Sequence, residues 1–492
     1  VANLAAEVVH RGSARRLIAG LVIVAISIAV GLAVGRLPEA PAWLWLLAGP
    51  GLLLLIIVLT RSARVCLALL LLVDVLGLYL DSFSIGPVAL RTIDIFWFGL
   101  VLWVLVIRAA DGPASSRRIG QPQLAWWLAA LGVSLFPIAV QSLGDVTDPL
   151  VAWLRLVQTF SLVWLVPYAA RDNDDSEFVL GAVEFAIFAE IARAIGDALL
   201  HGNVVERLQG ANGPNTTGLL SAILIAAAVH APVPRRFPVR AAIFVVGVTG
   251  LLMSRSLGAT AAIAAALGIF GLRRVVTERA STRNALLAPV RIVLLVVAAV
   301  AIGASFRPDN LPTSAAFNQS TTVHRAVLAT AGFELFADHP IVGVGWSRAP
   351  EVIGAPELNA QLRRRFGSGI NPEFLPEKNP TGVHNAYVEI LAEAGLLGIA
   401  TFLLLLIAST RGIRNTLRSV RQDPRTYAIA RCSLVLLVVI LVWWNDNALY
   451  GAQPETVLAA TFLGLIAATP AVLRNPEDVD GAVAPTRKRA SY

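Results

Sequence analysis

Long apolar runs separated by short polar interruptions set the rhythm of this chain. A helix needs about 20 mostly apolar residues to cross the hydrocarbon core of a bilayer. Windows of that kind recur along nearly the whole sequence, and about fourteen are predicted. They cover 17–34, 42–59, 65–80, 93–107, 124–140, 150–170, 178–200, 216–231, 239–253, 257–272, 285–304, 387–409, 430–443 and 457–473. Composition agrees: 56% of the 492 residues are hydrophobic, 15% are charged and the mean hydropathy is +0.70, far too apolar for a soluble domain of this size. The expected fold class is therefore an all-α polytopic membrane protein.

Charge refines the picture. Cytoplasmic loops collect Arg and Lys, and with the N-terminus inside, the inward connections hold Arg61 and Arg64; Arg108, Arg117 and Arg118; Arg235, Arg236 and Arg240; Arg273, Arg274, Arg279 and Arg283; and Arg411, Arg414, Arg418, Arg421 and Arg425. Short outward loops hold only Arg36, Arg91, Arg207 and Arg255. The net charge of +8 thus reads as a topology signal, with both termini cytoplasmic, and no nucleic-acid partner is expected. The first span, behind Arg11, Arg15 and Arg16, reads as an uncleaved anchor.

One connection breaks the rhythm. Residues 305–383, placed outside, are too long for a hairpin. Within them "HRAVLATAGFELFADHP" puts Val327, Leu328, Ala331, Leu335 and Phe336 on one helical face before Pro340, Gly343 and Gly345 stop the pattern, which predicts an amphipathic helix capping the bundle. The organisation expected is transmembrane helices over 1–304, an external loop with amphipathic helices over 305–383, a further helix and the last spans over 384–473, and a disordered cytoplasmic tail over 474–492.

Ionisable groups inside spans are costly and face the bundle interior or a water-filled cavity. Glu190, Arg193 and Asp197 stand three and four residues apart, the spacing of a structural ion-pair ladder. Arg155 lies about five residues, roughly 7 Å, below the outer start of its span. With Arg207, Arg255 and Arg325 it places four guanidiniums toward the outer leaflet, with few carboxylates expected beside them. A guanidinium is permanently charged and its fork fits phosphate oxygens in pairs, so a lipid phosphate or diphosphate is the natural guest. His384 precedes an apolar helix that carries Glu389 and Glu393 on one face, and a histidine beside acids and arginines suits general acid or base work on an anionic lipid substrate.

Other features carry less. Cys66 and Cys432 fall in or beside spans and read as packing residues rather than a disulfide or metal site. "RDNDDSE" contains an Asp-x-Asp pattern, but in a short inward loop it reads as a solvated turn. The acceptor triplets at Asn215 and Asn318 are common by chance.

Four segments, "ERLQGANGPNTTG" from Glu206, "LLMSRSLGAT" from Leu251, "HRAVLATAGFELFADHPIVGVGWS" from His324 and "HNAYVEILAEAGLLG" from His384, together resemble the O-antigen ligase and O-antigen polymerase family of membrane glycosyltransferases. The resemblance covers roughly 206–409; the first six spans match only as hydrophobic helices. It implies an external loop over a cavity, a glycan donor on polyprenyl diphosphate, and transfer to an acceptor hydroxyl of a glycan, lipid or polymer at the outer face of a bacterial inner membrane. It implies no cofactor and no metal. Carried over by position, Arg207, Arg255 and Arg325, with Arg155 beside them, would hold the diphosphate. His384 would be the base or acceptor-orienting group, with Glu393 or Glu389 setting its tautomer. "GANGPN" departs from the family's turn, and fourteen spans exceed the twelve usual for the ligases. The competing class, a lipid-linked glycan flippase or other transporter, should show two similar halves, and no such self-similarity is visible.

Overall fold

A computed structural model describes residues 62–78, 83–85, 88–90, 92–111, 147–202, 207–230, 232, 236–277, 321–367, 374–376, 382–445, 447 and 454–472. The predicted spans at 17–34, 42–59, 124–140 and 285–304, the start of the external loop and the tail lie outside the described residues.

The described chain is helical. In order it forms α1 (Ala63–Val75), α2 (Thr92–Asp111), α3 (Thr147–Ala169), α4 (Asn173–Leu200), α5 (Gly213–His230), α6 (Phe237–Ser254) and α7 (Leu257–Thr277). After these come α8 (Thr321–Asp338), the short α9 (Ala349–Val352), α10 (Pro356–Phe366), α11 (Ala386–Ser419), α12 (Pro424–Trp443) and α13 (Pro454–Val472). At least α6, α11 and α12 are long and apolar enough to cross a membrane, which makes this an integral membrane protein. One departure from the all-α expectation is a small antiparallel hairpin between α1 and α2, β1 (Phe83–Ile85) against β2 (Val88–Leu90), with Ser84 opposite Ala89.

The centre of the bundle is α5, buried continuously from Thr216 to Ala228. A helix that is apolar all round must be surrounded, and α6, α7 and α12 surround it. Small residues permit the close approach: a Cβ on Gly218 would meet Ser256 at 2.4 Å, and one on Gly250 would meet Ser221 Oγ at 2.5 Å. In membranes, where burial of apolar surface does not drive helices together, such contacts let van der Waals packing hold them.

Hydrogen bonds between helix ends fix which ends lie together. At one end, Arg425 Nε donates to Glu177 Oε1 at 2.6 Å, Thr426 Oγ1 bonds Asn173 Oδ1 at 3.0 Å, and Arg64 NH1 donates to Asp175 Oδ1 at 2.7 Å. The starts of α1, α4 and α12 therefore share an end. The "RDNDDSE" segment, expected as a solvated turn, is instead this junction: Asp172 caps α4 by accepting from Asp175 N at 2.7 Å, and Asp174 and Glu177 grip Arg425. At the opposite end, Asn212 Nδ2 donates to the carbonyl of Val75 at 3.1 Å, Leu208 N donates to Met253 O at 3.0 Å and Ala386 N donates to Trp444 O at 2.9 Å. The finishes of α1, α6 and α12 and the starts of α5 and α11 meet there.

Candidate active site

The site begins with a broken helix. The sequence reads 387–409 as one span, but in α11 the chain leaves helical geometry at Gly395, with φ 63° and ψ −157°. That backbone region is essentially reserved for glycine. The backbone groups freed on either side of the break are taken by the segment following α8. Val344 N and Gly345 N donate to the carbonyls of Ala392 and Glu393, both at 2.9 Å, while Leu396 N and Leu397 N donate to those of Pro340 and Ile341 at 2.9 and 3.2 Å. Gly343, at φ 69°, lies so close that a Cβ would sit 2.3 Å from the Glu393 carbonyl carbon. "HPIVGVGWS" and "EILAEAGLLG" are thus two halves of one crossing.

Glu393, 3% exposed, closes this crossing. Its Oε2 accepts from Ser347 N at 2.8 Å and its Oε1 from Ala349 N at 3.2 Å. Glu389 is likewise buried. Below the crossing, the predicted amphipathic helix forms as α8, burying Val327, Leu328, Ala331 and Leu335 against Val383, Val388 and Ala392. Phe336 is only half-buried. α10 adds Leu358 and Leu362 to this second core.

His384 stands immediately before the cap of α11. Asn385 Oδ1 accepts from Tyr387 N and Val388 N, each at 3.1 Å, and its Nδ2 donates to Asn445 O at 3.0 Å. Tyr387 OH donates to Leu441 O at 2.7 Å. These bonds latch the start of α11 to the finish of α12, so the histidine is presented from a rigid corner. Its ring lies 6.3 Å from that of His324, edge to face, and His324 stacks on Phe374 at 5.0 Å. Burial, then the Arg325 charge, hold His384 below the ordinary histidine value, with a hydrogen bond that the ring donates to the Asn447 side chain opposing them. Burial, then His384 and Arg325, do the same to His324. Nδ1 of His384 is buried without a partner among the described residues. Neutral imidazole with an open nitrogen is the form a general base needs.

The remaining arginines divide. Arg207 Nε donates to Ser254 O at 3.0 Å and its NH2 to Asn215 Oδ1 at 2.9 Å, which pins the loop before α5 onto the turn carrying Arg255. Arg255 adopts φ 51° at the C-cap of α6, a left-handed conformation uncommon outside glycine. The neighbouring ladder forms as expected, with Arg193 bridging Glu190 at 2.9 Å and Asp197 at 2.8 Å. Glu190 Oε1 also accepts from Ala211 N at 2.5 Å, so the ladder supports the same loop. Arg155 differs from expectation: it pairs with Asp94 on α2, and the two side chains are 11% and 5% exposed. A carboxylate it was expected to lack already offsets its charge.

The helix ends decide what these groups share. His384 and Arg325 belong to the end where α11 starts, and Arg207 and Arg255 belong to the end where α6 finishes and α5 starts; the bonds above make these one end. His324, Phe374 and Asn447 were missed from sequence. Only His324 left a signal, as the neighbour of Arg325 at the opening of a helix; Phe374 and Asn447 arrive from segments with no pattern of their own.

Two comparisons bear on the chain. No curated protein matches it. Residues 242–403 match the sequence model of the family described as O-Antigen ligase, a stretch that takes in Arg255, Arg325, His384, Glu389 and Glu393 and the crossing of the loop with α11. Over those residues, about a third of the chain, this integral membrane protein is similar to the O-antigen ligase family.

Proposed function

We propose that the protein is a glycosyltransferase that moves a glycan from a polyprenyl-diphosphate carrier to an acceptor hydroxyl at the outer face of a bacterial plasma membrane. The observation that carries this reading is His384, neutral and with an open buried nitrogen, beside Arg325 at the end of the bundle that also holds Arg207 and Arg255. The family segment implies lipid-linked glycan substrates.

In this reaction the acceptor oxygen attacks the anomeric carbon while the bond from that carbon to the diphosphate oxygen breaks. The acceptor proton passes to His384, and the bonding pair leaves with the diphosphate. Arginines aimed at the leaving group favour the transition state, where its charge is greatest, over the ground state. They supply the charge that a metal would otherwise provide, and one direct displacement inverts the sugar. Arg255, Arg325 and Arg207 are assigned to the diphosphate; Arg155, already matched by Asp94, contributes least. Arg325 has two effects, since before the donor binds its charge also keeps His384 unprotonated. Glu393 acts on the chemistry indirectly, by holding the loop on α11, and Glu389 stays a candidate partner of the histidine.

The test is transfer of radiolabelled glycan from native polyprenyl-diphosphate carriers to an envelope extract, by purified protein without divalent metal. Product is expected from wild type and not from folded His384→Ala or Arg255→Ala. A ladder of products would mark a polymerase and a single size a ligase. Movement of intact lipid-linked glycan across liposomes without cleavage would overturn the reading in favour of a flippase.

A further inference from the structure

Between α11, α12 and α13 lies a groove of about 760 Å³ that the proposed chemistry does not use. Its wall changes character along its length. Near the finish of α12 it is apolar, lined by Phe402, Leu406, Leu441 and Leu463. Toward the turn joining α11 to α12 it is lined by Arg414, Arg418, Arg421 and Tyr427.

The three arginines fall four and three residues apart, on one face, where like charges repel. At the same end of the molecule Arg425 is paired with Asp174 and Glu177, and Arg64 with Asp175. Arg414, Arg418 and Arg421 make no ion pair with a described residue, so an exposed cationic stack opens onto an apolar trough. From Phe402 to Arg414 the helix rises roughly 18 Å, against about 15 Å for the hydrocarbon of one leaflet, half of the full core.

We propose that this groove binds an anionic phospholipid from the leaflet at the arginine-rich end, its phosphate on Arg414, Arg418 and Arg421 and one acyl chain lying along the trough toward Phe402. The charge selects an anionic headgroup and the length suits a single leaflet. The inference rests on the membrane location alone, so it stands or falls separately from the transferase reading. The far end of the groove reaches Trp444, whose carbonyl accepts from Ala386 N beside the His384 corner; the lipid would brace the helix finish on which that corner hangs.

The experiment is native mass spectrometry and lipid titration of the full chain in neutral detergent, with phosphatidylglycerol, phosphatidylcholine, polyprenyl phosphate and inorganic phosphate as probes. One phosphatidylglycerol per chain is expected to survive delipidation. The triple variant Arg414→Gln, Arg418→Gln, Arg421→Gln should weaken its binding about 100-fold, if each charge contact near the membrane is worth about fivefold. Thr410→Trp, which fills the trough from its exposed rim and leaves all three arginines, should abolish it. Both variants are compared with wild type by size-exclusion profile and helical content. Equal retention of phosphatidylcholine would overturn the proposal, as would full phosphatidylglycerol binding by Thr410→Trp, which would mean surface charge without a groove. Displacement by inorganic phosphate would point to a free-anion site, and preference for polyprenyl phosphate would give the groove to the carrier; either result also overturns it.

Discussion

At the scale of residues, the pairing of Arg325 with His384 makes a pH signature. A positive neighbour disfavours imidazolium, so the protonation of His384 that halts base catalysis should occur below the ordinary histidine value of about 6.5. The acidic limb of kcat/KM, which reports the free enzyme, is expected there. Removing the charge with Arg325→Gln raises the histidine's affinity for protons and moves the limb to higher pH, whatever it does to the rate. When the diphosphate binds Arg325 its negative charge offsets the arginine, so in wild type the limb in kcat should lie above that in kcat/KM. Coincident limbs, unmoved by Arg325→Gln, would remove His384 from the role. Stability follows the same sign: with its folded value depressed, His384 binds protons more readily unfolded, so its neutral burial favours the fold above about pH 6.5 and opposes it as pH falls through the folded value. Much of this corner was legible in sequence because His384, Asn385 and the apolar helix are contiguous. Asn447 was not, nor Asp94 opposite Arg155, since both pairings depend on which helices lie side by side.

At the scale of elements, the break in α11 explains why two separated motifs carry so much glycine. The hydrophobic run across 386–409 gives no warning of it, because an isolated glycine is tolerated inside a helical pattern. Only the backbone of 340–345, bonded across the gap, makes Gly395 obligatory. A Cβ at 395 would lie 2.5 Å from the Ile341 carbonyl carbon and oxygen, on top of a backbone strain of about 1–3 kcal/mol. Gly395→Ala is therefore expected to release the loop from α11, lowering the midpoint of thermal aggregation in detergent and exposing 340–349 to protease. Gly268→Ala, in α7, where a Cβ meets nothing within 4 Å, should change neither. Equal behaviour of the two variants would mean that the crossing does not hold the loop. The amphipathic α8 was legible because its period is local; that its greasy face packs on Val388 and Ala392, rather than lying on lipid, was not.

At the scale of the whole molecule, the hydrogen bonds between helix ends bring the catalytic candidates to one end, and the distribution of arginine makes a testable prediction of which side of the membrane that end faces. The end where α4 and α12 begin gathers Arg236, Arg240, Arg414, Arg418, Arg421 and Arg425, the composition of a cytoplasmic face. The opposite end carries α8 and the His384 corner. Loop charge predicts an orientation from sequence alone, but the convergence of Arg207, Arg255, Arg325 and His384 on one end needed the parallel alignment of α4 with α12, whose starts are bonded together. Both native cysteines are buried, so introduced thiols report cleanly. Asp338→Cys, exposed at the last residue of α8, should react with a membrane-impermeant maleimide on intact cells. Gln422→Cys, exposed in the turn before α12, should react only after permeabilisation. Labelling of both from one side would contradict the placing of these two positions at opposite ends. The reverse pattern would keep the arrangement but turn the site toward the cytoplasm, where the carrier's glycan would have to be met before export, and the proposed transfer at the outer face would fall with it.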